Sequence, residues 1–319
     1  MRSRMSVVML ALFASACGGA QNRETSPGEG NIVSIEQGEH LIEQGDYLGA
    51  SKVFGEILQK TPEDSEAHYY LAVAKKNLGD ATAALEHYRL ALKYDADLLA
   101  ARNNLGLLLL ENGDLVAAEK ELNTYLEHKP EMGAAHYNYG LVLEALGKRI
   151  EAKKHYKKAT ELEPEAAASW FALGDLSKQE GDMKAALQVY KQGRTAIPDS
   201  PELTLKEAQT LLDLKKVKQA VEVFEELKKI PNCPPEFLTT AGVLLLKHKK
   251  DALAMDLYRL AIERDENYPL AHFLIANALA RKKEFKEASE HYEKFIALAP
   301  DTEEAQIARE RLKICVQQK

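Results

Sequence analysis

The chain has 319 residues and a formal charge of −7, from 42 basic and 49 acidic side chains, so its net field does not gather a polyphosphate and no nucleic-acid partner is expected. Apolar residues make up 45% and charged residues 29%, which supplies an extensive core and excludes a chain disordered throughout. Beyond the first segment, charges interrupt every apolar run short of the roughly 18 residues that a bilayer crossing needs, so no later segment is predicted to span a membrane.

The chain opens with Arg2 and Arg4, an apolar run over Val7–Ala14, and the small residues Ser15 and Ala16. That layout predicts a secretory signal peptide over residues 1–16. Cys17 follows at once, and Ala14-Ser15-Ala16-Cys17 resembles the lipobox of bacterial lipoproteins, with Ala14 where Leu is usual. The resemblance implies that Cys17 is acylated and becomes the first residue of the mature chain; the alternative is an ordinary signal peptide cleaved near Ala16. Several acyl chains, at about 0.8 kcal/mol per buried methylene, hold a protein on a bilayer where one chain binds only marginally. By the same resemblance, Gly18 in place of Asp implies the outer membrane, with the body on the periplasmic face. Residues 18–30 are rich in Gly, Ser, Pro and polar groups and predict a flexible tether spanning at most about 45 Å.

From Asn31 onward the sequence is periodic. The turns Gly45-Asp46, Gly79-Asp80, Gly113-Asp114, Gly147 and Gly181-Asp182 recur at a constant spacing of 34 residues. The register continues as eight units starting at Asn31, Ser65, Leu99, Gly133, Ala167, Pro201, Pro235 and Pro269 and closing at Thr302. Position 20 is Ala in every unit, from Ala50 to Ala288, and position 8 is always Gly or Ala, as helices pressed backbone to backbone require. Position 24 is large, from Phe54 to Tyr292, and reads as a plug between neighbouring units. Pro62, Pro130, Pro164, Pro198 and Pro300 stop the second helix at position 32; Ala96, Asn232 and Glu266 depart from that, with Pro231 one residue early.

On these four positions residues 31–302 resemble the tetratricopeptide repeats. The resemblance implies an all-α, right-handed solenoid of eight helix-turn-helix repeats (31–64, 65–98, 99–132, 133–166, 167–200, 201–234, 235–268 and 269–302). Residues 303–319, with Ile307, Ala308, Leu312 and Cys315 near one side, predict a helix that caps the last exposed face.

In this family the first helices line a concave groove, which implies a protein partner bound there. Positions 5 and 6 hold Tyr69 and Tyr70, Asn103 and Asn104, Tyr137 and Asn138, with Phe171 and Phe273 at position 5 of later units. Amides pair with the free backbone groups of an extended peptide, and aromatic faces take its apolar side chains. Asn at position 6 also belongs to the family consensus, so Asn104 and Asn138 have a purely structural alternative. The Lys and Asn pattern of the carboxylate-clamp relatives is not matched in units two to four.

In units six to eight the turn residues become Lys215-Lys216, Lys249-Lys250 and Lys282-Lys283. Equivalent turns stack along one edge of a repeat array, so these lysines predict a basic ridge, read either as a docking edge for an acidic partner or anionic envelope polymer or as solvated loop charges.

No zinc-protease, phosphate-loop, serine-elbow or Cys-x-x-Cys signature occurs, and no metal or cofactor is expected. His68, His136 and His272 share position 4 with Trp170 and read as packing residues. Cys233 and Cys315 lie two units apart in the register, too far for a disulfide, and read as isolated buried thiols. The sequence therefore predicts a non-catalytic outer-membrane scaffold. Its architecture is similar to that of pilotins and other type IV pilus assembly lipoproteins, which implies secretin assembly; an adaptor for peptidoglycan hydrolases, or an enzyme with a site in the groove, are the alternatives.

Overall fold

A glycine followed by an aspartate ends one helix and starts the next. Gly45, Gly79, Gly113, Gly147 and Gly181 stand at φ between 77° and 84°, a left-handed backbone open to a residue without a Cβ. The aspartate after the glycine accepts from a first-turn amide: Asp46 from Gly49 at 2.8 Å, Asp80 from Ala83 at 3.1 Å, Asp114 from Ala117 at 3.3 Å and Asp182 from Ala185 at 2.9 Å. Each bond satisfies one of the four orphan donors of a helix start.

The computed structural model describes residues 33–318, and the chain divides after Glu163 into two compact units. The signal segment, Cys17 and the tether over 18–30 lie outside the described residues. The first unit is built from α1 (Ile35–Glu43), α2 (Tyr47–Lys60), α3 (Ser65–Asn77), α4 (Ala81–Tyr94), α5 (Leu99–Glu111), α6 (Leu115–His128), α7 (Gly133–Ala145) and α8 (Arg149–Leu162). The second contains α9 (Ala167–Gln179), α10 (Met183–Ala196), α11 (Pro201–Asp213), α12 (Val217–Glu226), α13 (Pro235–Lys247), α14 (Asp251–Arg264), α15 (Pro269–Arg281), α16 (Phe285–Leu298) and α17 (Glu303–Gln317). Helices are the sole regular elements among the described residues. Within each unit consecutive helices pack on one another, save that α12 and α13 meet at most weakly, and α17 packs on α16.

Each pair is held from its middle. The alanines at position 20 are completely buried, and so, to within 1%, are the large residues at position 24. A Cβ on Gly38 would stand 2.2 Å from Phe54, on Gly140 2.6 Å from Tyr156, on Gly174 2.3 Å from Tyr190, and on Gly242 2.3 Å from Tyr258. The large second-helix side chain therefore lies on the small residue of its own pair's first helix, where the sequence pattern had suggested the space between neighbouring repeats. The small residue is what lets a ring fit between two helices in contact.

Two local departures follow from sequence. Pro231 precedes the usual stop, α12 is shorter than the other second helices, and its chain tightens into a 3-10 turn at Leu227–Lys229 before Asn232 at φ 52°. On α17, Ala305, Ala308 and Cys315 are buried, whereas Ile307 is 42% exposed. Ile307 thus belongs to the outer face with Ile314, seven residues on, because one 100° step separates it from Ala308.

In the second unit three turns hold lysine where the others hold glycine: Lys215, Lys249 and Lys283 stand at φ 61°, 58° and 65°. A left-handed residue with a Cβ costs about 1–2 kcal/mol, and glycine's added unfolded-state freedom returns roughly 0.5–1 kcal/mol of that. Lys283→Gly is therefore expected to raise the unfolding free energy by about 0.5–1 kcal/mol and Gly79→Lys to lower it by a similar amount, read as opposite shifts of the urea midpoint.

Candidate functional site

Positions 5 and 6 lie on the second turn of each first helix, and in the first unit they join into a ladder. Asn138 on α7 donates its side-chain amide to Asn103 on α5 at 2.8 Å, Asn103 donates to Asn104 at 3.3 Å, and Asn104 donates to the Tyr69 hydroxyl on α3 at 3.4 Å. Beside them the Tyr70 hydroxyl donates to the Glu39 carboxylate on α1. The rings continue the contact: Tyr70 stacks on Phe54 at 5.4 Å and meets Tyr69 edge-on at 4.9 Å. Asn138 and Asn104 at position 6 reach position 5 of the preceding repeat, and Tyr70 at position 6 reaches Glu39 at position 9, so four successive first helices are tied through polar groups.

Burial divides the predicted residues. Tyr69, Tyr70 and Asn104 are half-buried and keep part of their surface open. Asn138, Asn103 and Tyr137 are 1%, 8% and 9% exposed; they form the floor beneath the ladder and offer little to a ligand. Asn104 spends its N–H groups on Tyr69 and Tyr88 and one acceptor position on Asn103, which leaves an oxygen lone pair for an incoming group. Burial pushes the Tyr69 phenol upward and that of Tyr137 up to about 12, the latter with help from Glu144. At neutral pH these phenols are neutral donors, suited to recognition and poorly suited to proton abstraction.

In the second unit Phe171 is half-buried against Trp170 and Tyr190. Phe273 is not an open groove residue: Phe295 lies 4.9 Å from its ring, and the Arg311 guanidinium of α17 stands 6.0 Å over it while donating to Asn277. The last helix occupies that face.

The sequence reading missed the acceptors of the position-24 tyrosines. Tyr156 donates to Glu144 at 2.8 Å, Tyr190 to Asp175 at 2.6 Å and Tyr292 to Asn277 at 2.7 Å. Lys206 then holds both oxygens of Asp175, at 2.9 and 3.0 Å. The signal was an acceptor side chain (Asp, Glu or Asn) at position 9 or 12 of a unit with Tyr at position 24; Tyr88, with Val73 and Lys76 there, makes no such bond. Tyr258 breaks the rule, since Val243 and Leu246 stand at those positions and its buried hydroxyl has no hydrogen-bond partner. Tyr258→Phe is expected to leave stability unchanged or raise it by up to about 1 kcal/mol, while Tyr190→Phe, which removes a charge-assisted hydrogen bond to Asp175, loses about 1–2 kcal/mol; thermal melts of the two variants compare them directly.

Position 4 carries a second recurring arrangement. Nε2 of His68, His136 and His272 lies 3.0, 2.9 and 3.0 Å from the carbonyls of Pro62, Pro130 and Glu266. Trp170 fills the same role in its repeat, its indole N–H donating to the Pro164 carbonyl at 2.8 Å. A carbonyl only accepts, so Nε2 bears the hydrogen and Nδ1 is an acceptor, which takes a hydrogen bond from Nδ1 of His87, His155 or His291 at 3.0 Å in each pair. A second proton would set N–H against N–H. Burial, then the facing histidine, lowers the pKa of His87, His155 and His291; Lys75 lowers and Glu86 and Asp80 raise that of His87, Lys154 lowers that of His155, and Glu287 and Glu290 raise while Arg259 lowers that of His291. The unfolded chain therefore binds more protons as pH falls below the ordinary histidine value near 6.5, and stability is full above it and lost beneath it. Urea midpoints are expected to fall between pH 7.5 and 5 and to fall less in His87→Gln/His155→Gln/His291→Gln.

Among the described residues no set of three or more His, Cys, Asp or Glu side chains converges on a metal position. Cys233 and Cys315 are buried without a disulfide between them, and burial pushes the Cys233 thiol up to about 11. A depression of about 460 Å³ lies along α4 at Thr82, Leu85, Arg89 and Lys93. Lys215, Lys216, Lys249, Lys250, Lys282 and Lys283 are all exposed at the turns of the second unit.

A tetratricopeptide-repeat family profile matches residues 35–98, 74–132, 103–149 and 143–201; further profiles of that description match 177–232 and 269–302. Among solved structures, yeast Tom70 is similar at 20% identity and TM-score 0.54, over 85% of this chain and 59% of its own. The chain thus spans little more than half the length of the yeast protein. The pilF protein of Pseudomonas aeruginosa is similar at 23% identity and TM-score 0.52, over 61% of this chain and 89% of its own. A tetratricopeptide-repeat protein of Parabacteroides merdae is similar at 19% and TM-score 0.53, over 77% of this chain and 97% of its own. At these identities the likeness is one of fold. No curated protein sequence matches.

Proposed function

Because the chain belongs to the tetratricopeptide-repeat family, we propose that it is a non-catalytic scaffold that holds an extended segment of a protein partner against the first helices of its N-terminal unit. One observation carries this reading: the amide ladder from Asn138 to Tyr69 surfaces at half-exposed Asn104, Tyr69 and Tyr70, where polar groups, among them the Asn104 oxygen, stand beside aromatic faces. A peptide laid across α3 and α5 pairs its backbone with Asn104 and seats an apolar side chain on the tyrosines.

The lipobox-like Ala14-Ser15-Ala16-Cys17 supports placing this scaffold on the outer membrane, periplasmic face, through acylated Cys17. An anchored tether confines the repeat array near the membrane and raises its effective concentration for membrane-bound clients. Together these features favour a role in an envelope assembly, with secretin assembly for a type IV pilus as the concrete reading; the sequence architecture offers a hydrolase adaptor as the second.

The test is co-purification from detergent-solubilised envelopes. Wild type is expected to retain a client, a secretin on the first reading or a peptidoglycan hydrolase on the second. Tyr69→Ala/Asn104→Ala is expected to lose about tenfold or more of that capture, and Cys17→Ser to release the protein from the membrane fraction. Equal capture by the double variant overturns the ladder as the binding face.

A further inference from the structure

The turns of the second unit give up two stabilising devices in succession. Lysine replaces glycine at the left-handed position in three consecutive repeats, at Lys215, Lys249 and Lys283. Lysine also replaces the capping aspartate at Lys216 and Lys250, and neither α12 nor α14 has a side-chain cap. Lys218 and Lys286, at the second residue of α12 and α16, extend the same charge, and all of these side chains are exposed. None forms an ion pair among the described residues, although lysines elsewhere in the unit do, such as Lys206 with Asp175 and Lys178 with Asp213. Helix α11 touches α13, and α13 touches α15, so the turns that end these helices stand in one row.

The chemistry of the row narrows its partner. The charges are those of lysine, compact point charges on flexible stems, and not the planar forks that read a carboxylate or phosphate in one fixed geometry. They sit on exposed turn tips, and no cavity among them would hold a peptide by its sides. Such an edge suits a flat and laterally uniform anionic surface. Each lysine brought to an anionic leaflet strengthens binding about fivefold, and the gain fades within a Debye length. The chain as a whole is acidic, at −7, so the edge stands out against the net charge.

We propose that the turn edge of α11–α16 is an electrostatic docking surface for an anionic phospholipid bilayer, separate from the peptide-binding face. The test needs no client protein, so its failure leaves the peptide reading untouched and the reverse also holds. Full-length chain carrying Cys17→Ser, which removes any acyl contribution, is floated with vesicles of phosphatidylcholine alone and of phosphatidylcholine mixed with phosphatidylglycerol. The readout is the gain in binding that phosphatidylglycerol brings, which is expected to shrink with added salt. In Lys215→Gly/Lys249→Gly/Lys283→Gly the gain is expected to fall by about tenfold or more, with the fold kept because glycine is at ease at these φ values. Replacement of the same lysines by Arg is expected to preserve it. Equal binding to both vesicle types, or an unchanged gain in the glycine variant, overturns the proposal. So does soluble polyglutamate that binds through the same lysines more tightly than the vesicles, which would make the partner an acidic protein.

Discussion

The contact on which the structure depends is a large second-helix side chain resting on a small first-helix residue sixteen positions earlier. Where that residue is glycine, no room remains for even a methyl group between the two, as at Gly38 beneath Phe54 and Gly174 beneath Tyr190. Ala72 and Ala276 coexist with Tyr88 and Tyr292, so a methyl is tolerated where the ring is seated slightly differently. The constraint is thus on volume. Once the ring is seated, the position-20 alanine is sealed in and the two helices of the pair are fixed, whatever their outward residues are. That leaves the outer faces and the turns free to vary.

The turns show how that freedom is used. In the first unit the glycine and aspartate pair serves the fold twice, through the left-handed backbone and the cap on the next helix. In the second unit Lys215-Lys216 and Lys249-Lys250 serve neither purpose as well, yet α12 and α14 still begin at the same register. Tertiary packing through Phe224 and Tyr258 holds these helices in place of the cap, in keeping with the rule that most helical stability in proteins comes from a buried face. A turn relieved of its structural duty is a place where surface charge can be chosen for another reason.

Periodicity made the fold legible because the small, alanine and aromatic positions answer to one contact repeated without insertion. The candidate site was legible only in outline. Positions 5 and 6 name Tyr69, Tyr70 and Asn104, each of which keeps open surface, and equally Asn103, Asn138 and Tyr137, which are buried. Adjacent positions 5 and 6 differ by 100° around the helix, and which of them opens depends on how the preceding repeat leans against it, a property absent from any single repeat's sequence. Phe273 was misread for a different reason: α17 follows the last repeat and covers its face through Arg311, and a capping helix has no periodic signature. Asp175, Glu144 and Asn277 escaped notice because their partners are hydroxyls of buried tyrosines, and the pairing becomes visible only when position 24 is seen to lie within its own helix pair.

Fold and recognition therefore draw on one supply of polar groups along the first helices. Glu144, Asp175 and Asn277 hold tyrosine hydroxyls inside each pair, and Asn103 and Asn138 bind each other between repeats. A buried polar group left without a partner costs more than a made hydrogen bond contributes, so these residues are committed to the fold before a ligand arrives. Binding is left to groups whose valence the fold does not exhaust. Asn104 is of that kind: its N–H groups serve Tyr69 and Tyr88, and its oxygen, which takes one hydrogen bond from Asn103, keeps an acceptor position at a half-buried surface. The same reasoning separates the two surfaces of the molecule, since the ladder recognises by hydrogen bonds that must be aimed, whereas the lysine row of the second unit acts through charge that needs no aim. One suits a partner of defined sequence and the other a surface of defined charge.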